Sequence, residues 1–486
     1  MMNSQIASRI VANLTHSGDK VVIYFGDKQI KAAEFLDLIQ IYRRGLINLH
    51  RHENIAILMK TSPDALALFI ASLSVAKNTC FFDPNWPEDI IKKTANLAQI
   101  DMIISDDSQS AVDTLSHLVL KTPTVTADHE AEAEVNNLDG NYDPNYTCFT
   151  SGSTGLPKGC MRSEMSWIRS FGSDQKFTDI QESDTVIVPG SFAHSLFLYA
   201  AIRGLYTGAT IALFTNFHPN RIVEIFEHIN NGVIFAVPTQ LDALVHSTCQ
   251  HGENIKRILS TGSKLPISIY EKLVDVFTEA VIVEFYGTSE LSYVAARTVS
   301  VDDPETLVGR PLPNVEISIK GPDGADIPMG SEGLVYVKSD LAFRGYVSHS
   351  GLQEADKSIC VGDAGFFDFN GDLHLVGRMD RAFQSSGRNI IPEAIETALT
   401  SIEGVALAAV FGVPDATREN RIAAVLCIDA QITKPDLISC LRQSLATYAI
   451  PSIYYKCDIW PKTTSGKIDL ITLRSKLLAK ELEVLF

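Results

Sequence analysis

Short apolar runs rich in β-branched residues alternate with amphipathic stretches along most of the chain. The apolar runs predict strands at residues 21–25, 55–59, 185–188, 209–214, 233–237 and 280–285. Amphipathic stretches at 30–46 and 221–230 predict helices between them. Because strands that are apolar along their whole length are covered on both faces, the pattern predicts an α/β fold with doubly wound, mainly parallel sheets.

The pattern changes after Gly377. The later residues predict a helix at 393–399, strands at 406–412 and 422–428, and a helix at 435–445. We therefore expect a large N-terminal domain of residues 1–379 and a small α+β C-terminal domain of residues 380–481. Two segments predict loops: 129–143 is acidic and rich in Asn, and 302–313 contains several Pro and Gly residues.

The last five residues, 482–486, read LEVLF. This is the start of a protease recognition sequence that is common in expression tags. We interpret these residues as an engineered remnant and leave them out of the functional argument.

Charge and cysteine usage narrow the functional classes. The 486 residues carry a formal net charge of -17, which argues against a nucleic-acid partner because neutralising phosphates requires clustered Lys and Arg. A local pocket can still be positive, so ATP is not excluded. The sequence contains neither a membrane-spanning apolar run nor a signal-peptide pattern, and its eight cysteines form no CxxC pair. A reducing cytoplasm is the expected location.

Residues 150–159, TSGSTGLPKG, carry the strongest chemical signal. Glycines allow backbone N–H groups to converge on an anion, hydroxyls donate to phosphate oxygens, and lysine adds positive charge. The spacing is not that of a Walker A loop. A flexible Ser/Gly linker is the alternative, but a linker would not need the Pro-Lys-Gly ending. The residues predicted to bind phosphate are Thr150, Ser151, Gly152, Ser153, Thr154, Gly155 and Lys158.

This loop matches the T-S-G-S-T-G-x-P-K-G signature at every specified position, so the chain resembles the adenylate-forming superfamily. That superfamily includes acyl- and aryl-CoA synthetases, peptide-synthetase adenylation domains and luciferase-like enzymes. Further motifs follow in order to the C-terminus. The resemblance implies a large N-terminal ATP- and acyl-binding domain and a small C-terminal domain that rotates about a hinge.

The segment 284–290, EFYGTSE, is similar to the superfamily motif E-x-Y-G-x-T-E. A carboxylate near phosphates needs a hard cation between them, so Glu290 is the candidate Mg²⁺ ligand. Tyr286 offers a flat face to adenine, and the resemblance adds Gly287 and Thr288 to the nucleotide site. Taken alone, the segment could equally be a strand ending in a polar turn.

Two later motifs complete the implied nucleotide site. Asp363 follows a glycine and would accept both ribose hydroxyls, while Arg378 would reach the ribose or phosphate. The tail motif PKTTSGK ends at Lys467, whose ammonium would stabilise the negative charge of the transition state. The resemblance thus assigns catalysis to Lys467, Glu290 and Thr150. Each of these short motifs alone would be an ordinary turn.

The segment 380–396 resembles the superfamily hinge and thiol channel. Asp380 is the implied hinge, and Gly387 would line the channel for a pantetheine arm. Gln384 replaces a common lysine, and Arg381 and Ala394 replace common acids. These departures leave the adenylation residues intact and concern only the thiol step.

The acyl pocket is predicted from 191–198, SFAHSLFL. Amino-acid-activating relatives carry F-D-x-S here, and Ala193 stands in place of the aspartate that holds an ammonium group. An α-amino acid is therefore disfavoured, because a buried amino group would lack a counter-charge. His194 would be an aromatic gate, Ser195 lies beside it, and Gly262 in the loop 261–265 is assigned to the same region. A structural role for His194 is the alternative.

The resemblance implies activation of a fatty or aryl acid by ATP and Mg²⁺, with release of pyrophosphate, and transfer to a pantetheine thiol. CoA is the expected acceptor, and a separate holo-carrier protein is the alternative, since both thiols end the same arm. A luciferase-like oxygenase and a non-catalytic nucleotide-binding regulator are further alternatives. The retention of Lys467, Glu290 and Asp363 argues against the regulator.

Overall fold

The computed structural model describes residues 4–48, 54–76, 78–106, 119–121, 143–150, 156–247, 251–321, 323–379, 381–385, 388–415, 419–428, 432–463 and 467–486. These form two compact units. The first unit contains residues 1–301, 312–315 and 338–359, and the second contains 302–311, 316–337 and 360–486. Asp380, where we expect the hinge, lies outside the described residues, so the boundary there stays a prediction.

The described elements alternate between helices and strands along the first unit. The α-helices are Gln5–Ser17, Ala32–Asn48, Pro63–Ser72, Glu88–Leu97, Glu164–Thr178, Ser195–Thr207, Pro219–Glu224, Pro238–Val245, Ile267–Val276, Pro392–Thr400, Lys434–Ser444 and Leu470–Leu478. Short 3₁₀ turns lie at Ile225–His228, Gly252–Asn254 and Thr447–Ala449. The strands are β1 Val21–Phe25, β2 Lys28–Lys31, β3 Asn54–Leu58, β4 Asn78–Phe81, β5 Met102–Ser105, β6 Val119–Lys121, β7 Asn145–Thr150, β8 Lys158–Ser163, β9 Thr185–Val188, β10 Thr210–Leu213, β11 Gly232–Ala236, β12 Ile255–Ser260, β13 Val281–Thr288, β14 Ser292–Thr298, β15 Leu307–Pro311, β16 Val315–Lys320, β17 Gly333–Ser339, β18 Gly345–Ser348, β19 Gly351–Glu354, β20 Ile359–Phe367, β21 Leu373–Arg378, β22 Phe383–Ser385, β23 Arg388–Ile390, β24 Val405–Asp415, β25 Glu419–Ile428, β26 Ile453–Lys456 and β27 Glu483–Val484.

The first sheet of the first unit runs in the order β2-β1-β10-β9-β11-β12-β13-β14. Every neighbouring pair is parallel except the two at the edges, β1 with β2 and β13 with β14. The central strands are buried along their whole length, as expected for strands covered on both faces. The predicted parallel character of the sheet is therefore confirmed for its centre.

The second sheet of the first unit runs in the order β19-β18-β8-β7-β4-β3-β5-β6. Strands β6, β5, β3, β4 and β7 are parallel, whereas β7, β8, β18 and β19 are joined by antiparallel pairs. The turn from β7 to β8 carries the glycine- and hydroxyl-rich residues. This sheet is mixed because its C-terminal strands arrive as hairpins.

The second unit contains a sheet in which β16, β17, β20, β21 and β15 lie side by side, followed by a smaller α+β part. That part has the strand order β24-β25-β26-β27. Helices Pro392–Thr400 and Lys434–Ser444 pack through Leu399 and Leu437 on one core, while Leu473 belongs to another. The predicted small α+β C-terminal region is confirmed.

The last five residues are packed in the structure. Strand β27 pairs with Tyr455 and Lys456, and the ring of Phe486 lies 6.0 Å from that of Tyr454. Their origin as a tag remnant stays a prediction.

Three local predictions need correction. The segment 302–313 is not a continuous loop, because β15 lies within it. The helix predicted from residue 30 begins at Ala32, since residues 28–31 pair with β1 after the turn at Gly26. The helix predicted at 221–230 is a short α-helix from Pro219 that tightens into a 3₁₀ turn. The other predicted loop lies almost wholly outside the described residues.

A search for membrane-crossing helices among the described residues found none of sufficient length and apolar character.

Candidate active site

The β7–β8 hairpin presents the ends of the signature loop. Thr150 and Lys158 are register partners, so the loop between them begins and ends on one rung of the second sheet. Gly159 follows, and a Cβ there would lie 2.2 Å from a methyl carbon of Val347. Only glycine fits at this close approach of strands. Ser151, Gly152, Ser153, Thr154 and Gly155 lie outside the described residues.

Glu290 lies in the turn after β13, and the structure connects it to the hairpin through Tyr346. The Tyr346 hydroxyl donates to Glu290 Oε1 at 2.8 Å. The ammonium of Lys158 lies 5.5 Å from the centroid of the Tyr346 ring, a cation–π distance. The structure therefore brings two predicted site residues together, and the connecting tyrosine was missed by the sequence analysis.

The surroundings of Glu290 suit a hard cation. Its carboxylate is partly exposed, and among the described residues its second oxygen accepts no hydrogen bond. Carboxylate oxygens are the protein ligands that Mg²⁺ prefers, usually one or two together with phosphates and water. No cluster of three or more His, Cys, Asp or Glu side chains exists in the described part of the chain. The donor set thus fits a site that one protein carboxylate shares with phosphate oxygens.

Arg162 holds the Glu290 turn from beneath. Its guanidinium donates to the carbonyl of Ser289 at 3.1 Å and to that of Leu341. Burial lowers the pKa of Arg162, yet the group stays charged because an arginine pKa starts far above neutrality. The Glu290 backbone carbonyl also accepts from the amide of Phe343 at 2.7 Å. The sequence offered no motif for these contacts, because they join residues far apart in the chain.

Glu284, at the start of the same motif, has a different environment. It is buried, with Lys264 Nζ and Arg297 Nη2 each 2.8 Å from its Oε2 atom. Its Oε1 atom accepts the amide of Leu265 at 2.7 Å. Glu284 therefore anchors the loop 261–265, in which Gly262 adopts a left-handed conformation with φ of +88°.

The residues between the two glutamates form the end of the β13–β14 hairpin. Gly287 has no space for a side chain, since a Cβ would lie 2.1 Å from the carbonyl oxygen of Ser292. The Thr288 hydroxyl accepts the amide of Leu291 at 3.2 Å and so shapes the turn. Tyr286 is partly exposed and pairs in register with Ala295.

The segment 190–195, which carries the predicted acyl pocket, lies beside the same turn. Ser195 Oγ is 3.3 Å from Ser289 Oγ, one residue before Glu290. His194 immediately precedes helix Ser195–Thr207, and its ring meets Phe197 edge-on at 6.5 Å between centroids. Ala193 is buried and adds no charge. The first unit thus brings the predicted acyl residues next to the predicted Mg²⁺ ligand.

In the second unit, Asp363 and Arg378 are register partners on β20 and β21. Arg378 Nε lies 3.9 Å from Asp363 Oδ1, and its Nη2 atom donates to the carbonyl of Val361 at 3.1 Å. The Asp363 side chain is mostly buried, whereas half of the Arg378 side chain is exposed. The two predicted ribose ligands therefore lie side by side.

Lys467 belongs to the same neighbourhood of the second unit. Its carbonyl accepts the amide of Thr463 at 2.7 Å, which closes the loop between them. Desolvation lowers the pKa of the Lys467 ammonium, and the positive charge of Arg378 lowers this pKa further. The structure thus places Lys467 within electrostatic reach of the predicted ribose ligands.

The departures from the superfamily pattern also have a structural explanation. Arg381 lies 2.9 Å from Glu393 and 2.5 Å from Glu396, so two acids of the next helix balance it. Burial raises the pKa of Glu393 and the charge of Arg381 opposes this change. Gln384 is exposed on β22. Gly387 lies outside the described residues.

Comparisons with known proteins agree with these motifs. The family model described as "AMP-binding enzyme" matches residues 11–347, and the "AMP-binding enzyme C-terminal domain" model matches residues 394–467. YhfT of Bacillus subtilis, named an uncharacterized acyl-CoA ligase, is 32% identical over 424 residues, which cover 85% of this chain and 86% of YhfT. VraA of Staphylococcus epidermidis, named a putative long chain fatty acid-CoA ligase, is 32% identical over 405 residues, or 83% of each chain.

A solved structure with the same fold is ATP-bound MatB from Rhodopseudomonas palustris. Its TM-score is 0.81, with 21% identity over 98% of this chain and 99% of MatB. At this identity, the similarity establishes the fold.

Proposed function

Because this chain belongs to the AMP-binding enzyme family, we propose that it activates a carboxylic acid with ATP and transfers the acyl group to CoA. The observation that carries the proposal is the contact chain from Lys158 through Tyr346 to Glu290. It joins a phosphate-binding signature to the one carboxylate of the motif that remains available to a cation. The acyl-CoA ligase names of YhfT and VraA support CoA as the acceptor.

The reaction has two balanced steps. A carboxylate oxygen attacks the α-phosphorus of ATP, and the bond to the leaving pyrophosphate breaks, which yields an acyl-adenylate. The CoA sulfur then attacks the acyl carbonyl, AMP leaves, and the thiol proton is released. Both steps depend mainly on positioning and on stabilisation of negative charge.

In the first unit, Thr150, Lys158 and the loop 151–155 hold the pyrophosphate. Glu290 would bind Mg²⁺ through its open carboxylate oxygen, and the bound ion would supply positive charge against the phosphates. Tyr286, Gly287 and Thr288 bind the adenine end of the nucleotide.

In the second unit, Asp363 accepts the ribose hydroxyls and Arg378 binds ribose or phosphate oxygens. Lys467 acts as the charge that stabilises the attack on the α-phosphorus. Its lowered pKa still leaves an ammonium with three donors for oxygen atoms. Asp380 as the hinge and Gly387 in the thiol channel remain predictions from the resemblance.

The acid lacks an α-amino group and is a fatty or aryl acid. The buried Ala193 side chain cannot balance an ammonium group, and the unpaired charge would carry a large desolvation cost. His194 serves as the gate, with Ser195 and Gly262 in the same pocket. The name of VraA supports a fatty acid. A cytoplasmic location is also proposed, supported by the free thiols of all seven cysteines in the described part of the chain.

The test is to incubate the protein with ATP, Mg²⁺ and CoA over a panel of fatty, aryl and amino acids, and to detect acyl-CoA and AMP by mass spectrometry. We expect acyl-CoA and AMP with a fatty or aryl acid. A parallel reaction with a holo-carrier protein in place of CoA separates the two thiol acceptors. Products from amino acids alone would refute the role of Ala193.

A further inference from the structure

The segment 190–195 is not held by its own helix alone. Thr61 follows β3 of the second sheet, whereas the segment follows β9 of the first sheet. The Thr61 hydroxyl donates to the carbonyl of Gly190 at 3.2 Å and accepts the amide of Phe192 at 3.0 Å. One side chain therefore satisfies a donor and an acceptor on the same turn, from the sheet that also carries the β7–β8 hairpin.

The hydroxyl lies in a dry environment. Thr61 is 1% exposed, and Phe192 is equally buried, with its ring 5.5 Å from that of Phe81. In such surroundings water cannot replace a lost partner, so both backbone groups depend on the threonine.

Other contacts transmit this constraint to His194. The amide of His194 donates to the carbonyl of Ser191 at 3.0 Å, so the turn that Thr61 grips leads directly to the histidine. A Cβ on Gly190 would lie 2.2 Å from the Phe197 ring, which in turn meets the His194 ring. A shift of the turn would therefore displace the imidazole.

We propose that the Thr61 hydroxyl is a positioning group that fixes the segment 190–195 against the second sheet and thereby sets the affinity for the carboxylic acid. The inference rests on the proposed function, because it concerns the acyl side of that site. Thr61 acts through the backbone of Gly190 and Phe192, and its effect falls on the acid rather than on ATP.

Three variants test this inference. Thr61→Val keeps the shape and removes the hydroxyl, Thr61→Ser restores the hydroxyl, and Thr215→Val is the matched control. The Thr215 hydroxyl donates to the Thr61 carbonyl at 3.2 Å, so its loss disturbs the same cluster without releasing the turn. Thermal unfolding of each variant measures any general loss of stability.

Steady-state kinetics of pyrophosphate release provide the first readout. For Thr61→Val we expect the KM for the acid to rise about tenfold, because small displacements of positioning groups have large kinetic effects. The KM for ATP stays near the wild-type value, Thr61→Ser recovers most of the acid affinity, and Thr215→Val behaves like the wild type. Equal changes in both KM values, or equal effects of Thr61→Val and Thr215→Val, would overturn the proposal.

Hydrogen exchange provides a readout that does not depend on activity. We expect the Phe192 amide to exchange about tenfold faster in Thr61→Val, because its buried hydrogen bond is lost. Unchanged exchange in this variant would overturn the clamp whatever the kinetics. A wild-type protein that activates no acid in the panel would count against the proposed function, while exchange at Phe192 would still decide the role of Thr61.

Discussion

Glu284 and Glu290 belong to one short motif, yet the fold uses them in opposite ways. Glu284 is buried and accepts from Lys264, Arg297 and a backbone amide. Glu290 is partly exposed and accepts one hydrogen bond, from Tyr346, among the described residues. A carboxylate whose oxygens are already paired stabilises a loop, whereas one with an open oxygen can bind a ligand. Burial and pairing, and not the motif itself, separate the two roles.

The second unit repeats this contrast with arginines. Arg381 is paired with Glu393 and Glu396, while half of the Arg378 side chain is exposed beside Asp363. The paired arginine fastens a helix, and the exposed one remains able to bind oxygen-rich ligands.

The sharpest test of this contrast is stability. Glu284→Ala leaves two cations without their partner, and we expect the free energy of unfolding to fall by about 3–5 kcal/mol. Glu290→Ala removes a partly exposed group, so its loss should stay below about 1 kcal/mol. Urea denaturation followed by circular dichroism measures both. Equal losses would mean that the two carboxylates do not differ in structural role.

Next in size is the effect of Lys467→Ala on catalysis. We expect acid-dependent pyrophosphate release to slow by about 100- to 1,000-fold, because a charge that stabilises the transition state is lost. ATP binding, measured by calorimetry, should persist. The control is Lys462→Ala, an exposed lysine of the same loop, which should retain activity. Unchanged release in Lys467→Ala would remove this lysine from the mechanism.

Glu290→Gln tests the metal assignment with little change in shape. Losing a full negative charge should raise the Mg²⁺ concentration for half-maximal activity about tenfold, equivalent to ~1.4 kcal/mol. A titration of activity with Mg²⁺ measures the shift. Glu279→Gln, which alters an exposed carboxylate near the other end of β13, is the control and should titrate like the wild type. A matching Mg²⁺ dependence in Glu290→Gln would contradict the assignment.

The smallest effect is expected for Tyr346→Phe. The ring and its contact with Lys158 remain, but the hydrogen bond to Glu290 is lost, at a cost of about 1 kcal/mol. We expect kcat/KM for ATP to fall several-fold, less than in Tyr346→Ala, which also removes the ring. An effect larger than that of Glu290→Gln would show that Tyr346 acts independently of the glutamate.

The sequence predicted the elements whose patterns are local. Residues 21–25 and 185–188 form strands with the predicted bounds, because each is an apolar run between polar turns. Strand β15 was missed because Pro and Gly usually mark loops, although proline is tolerated at the last residue of a strand. The hairpin before Ala32 was missed because its second strand is mostly exposed and lacks an apolar signature.

The candidate site shows the same division. Glu290 and Lys158 stand in recognisable motifs, but Tyr346 and Arg162 do not, since each reaches the site across a long sequence separation. The distinction between Glu284 and Glu290 could not be drawn from the sequence either, because it depends on Lys264 and Arg297 converging from separate segments. Local spacing identifies residue types, while tertiary pairing decides which of them stay available.

Isotope exchange between pyrophosphate and ATP, in the absence of any thiol, tests acid activation most directly, because it isolates the first step. We expect exchange that requires a fatty or aryl acid and Mg²⁺ and that is lost in Lys467→Ala. Exchange supported by amino acids alone, or the absence of exchange with every acid in the panel, would contradict the proposed activation of a non-amino acid.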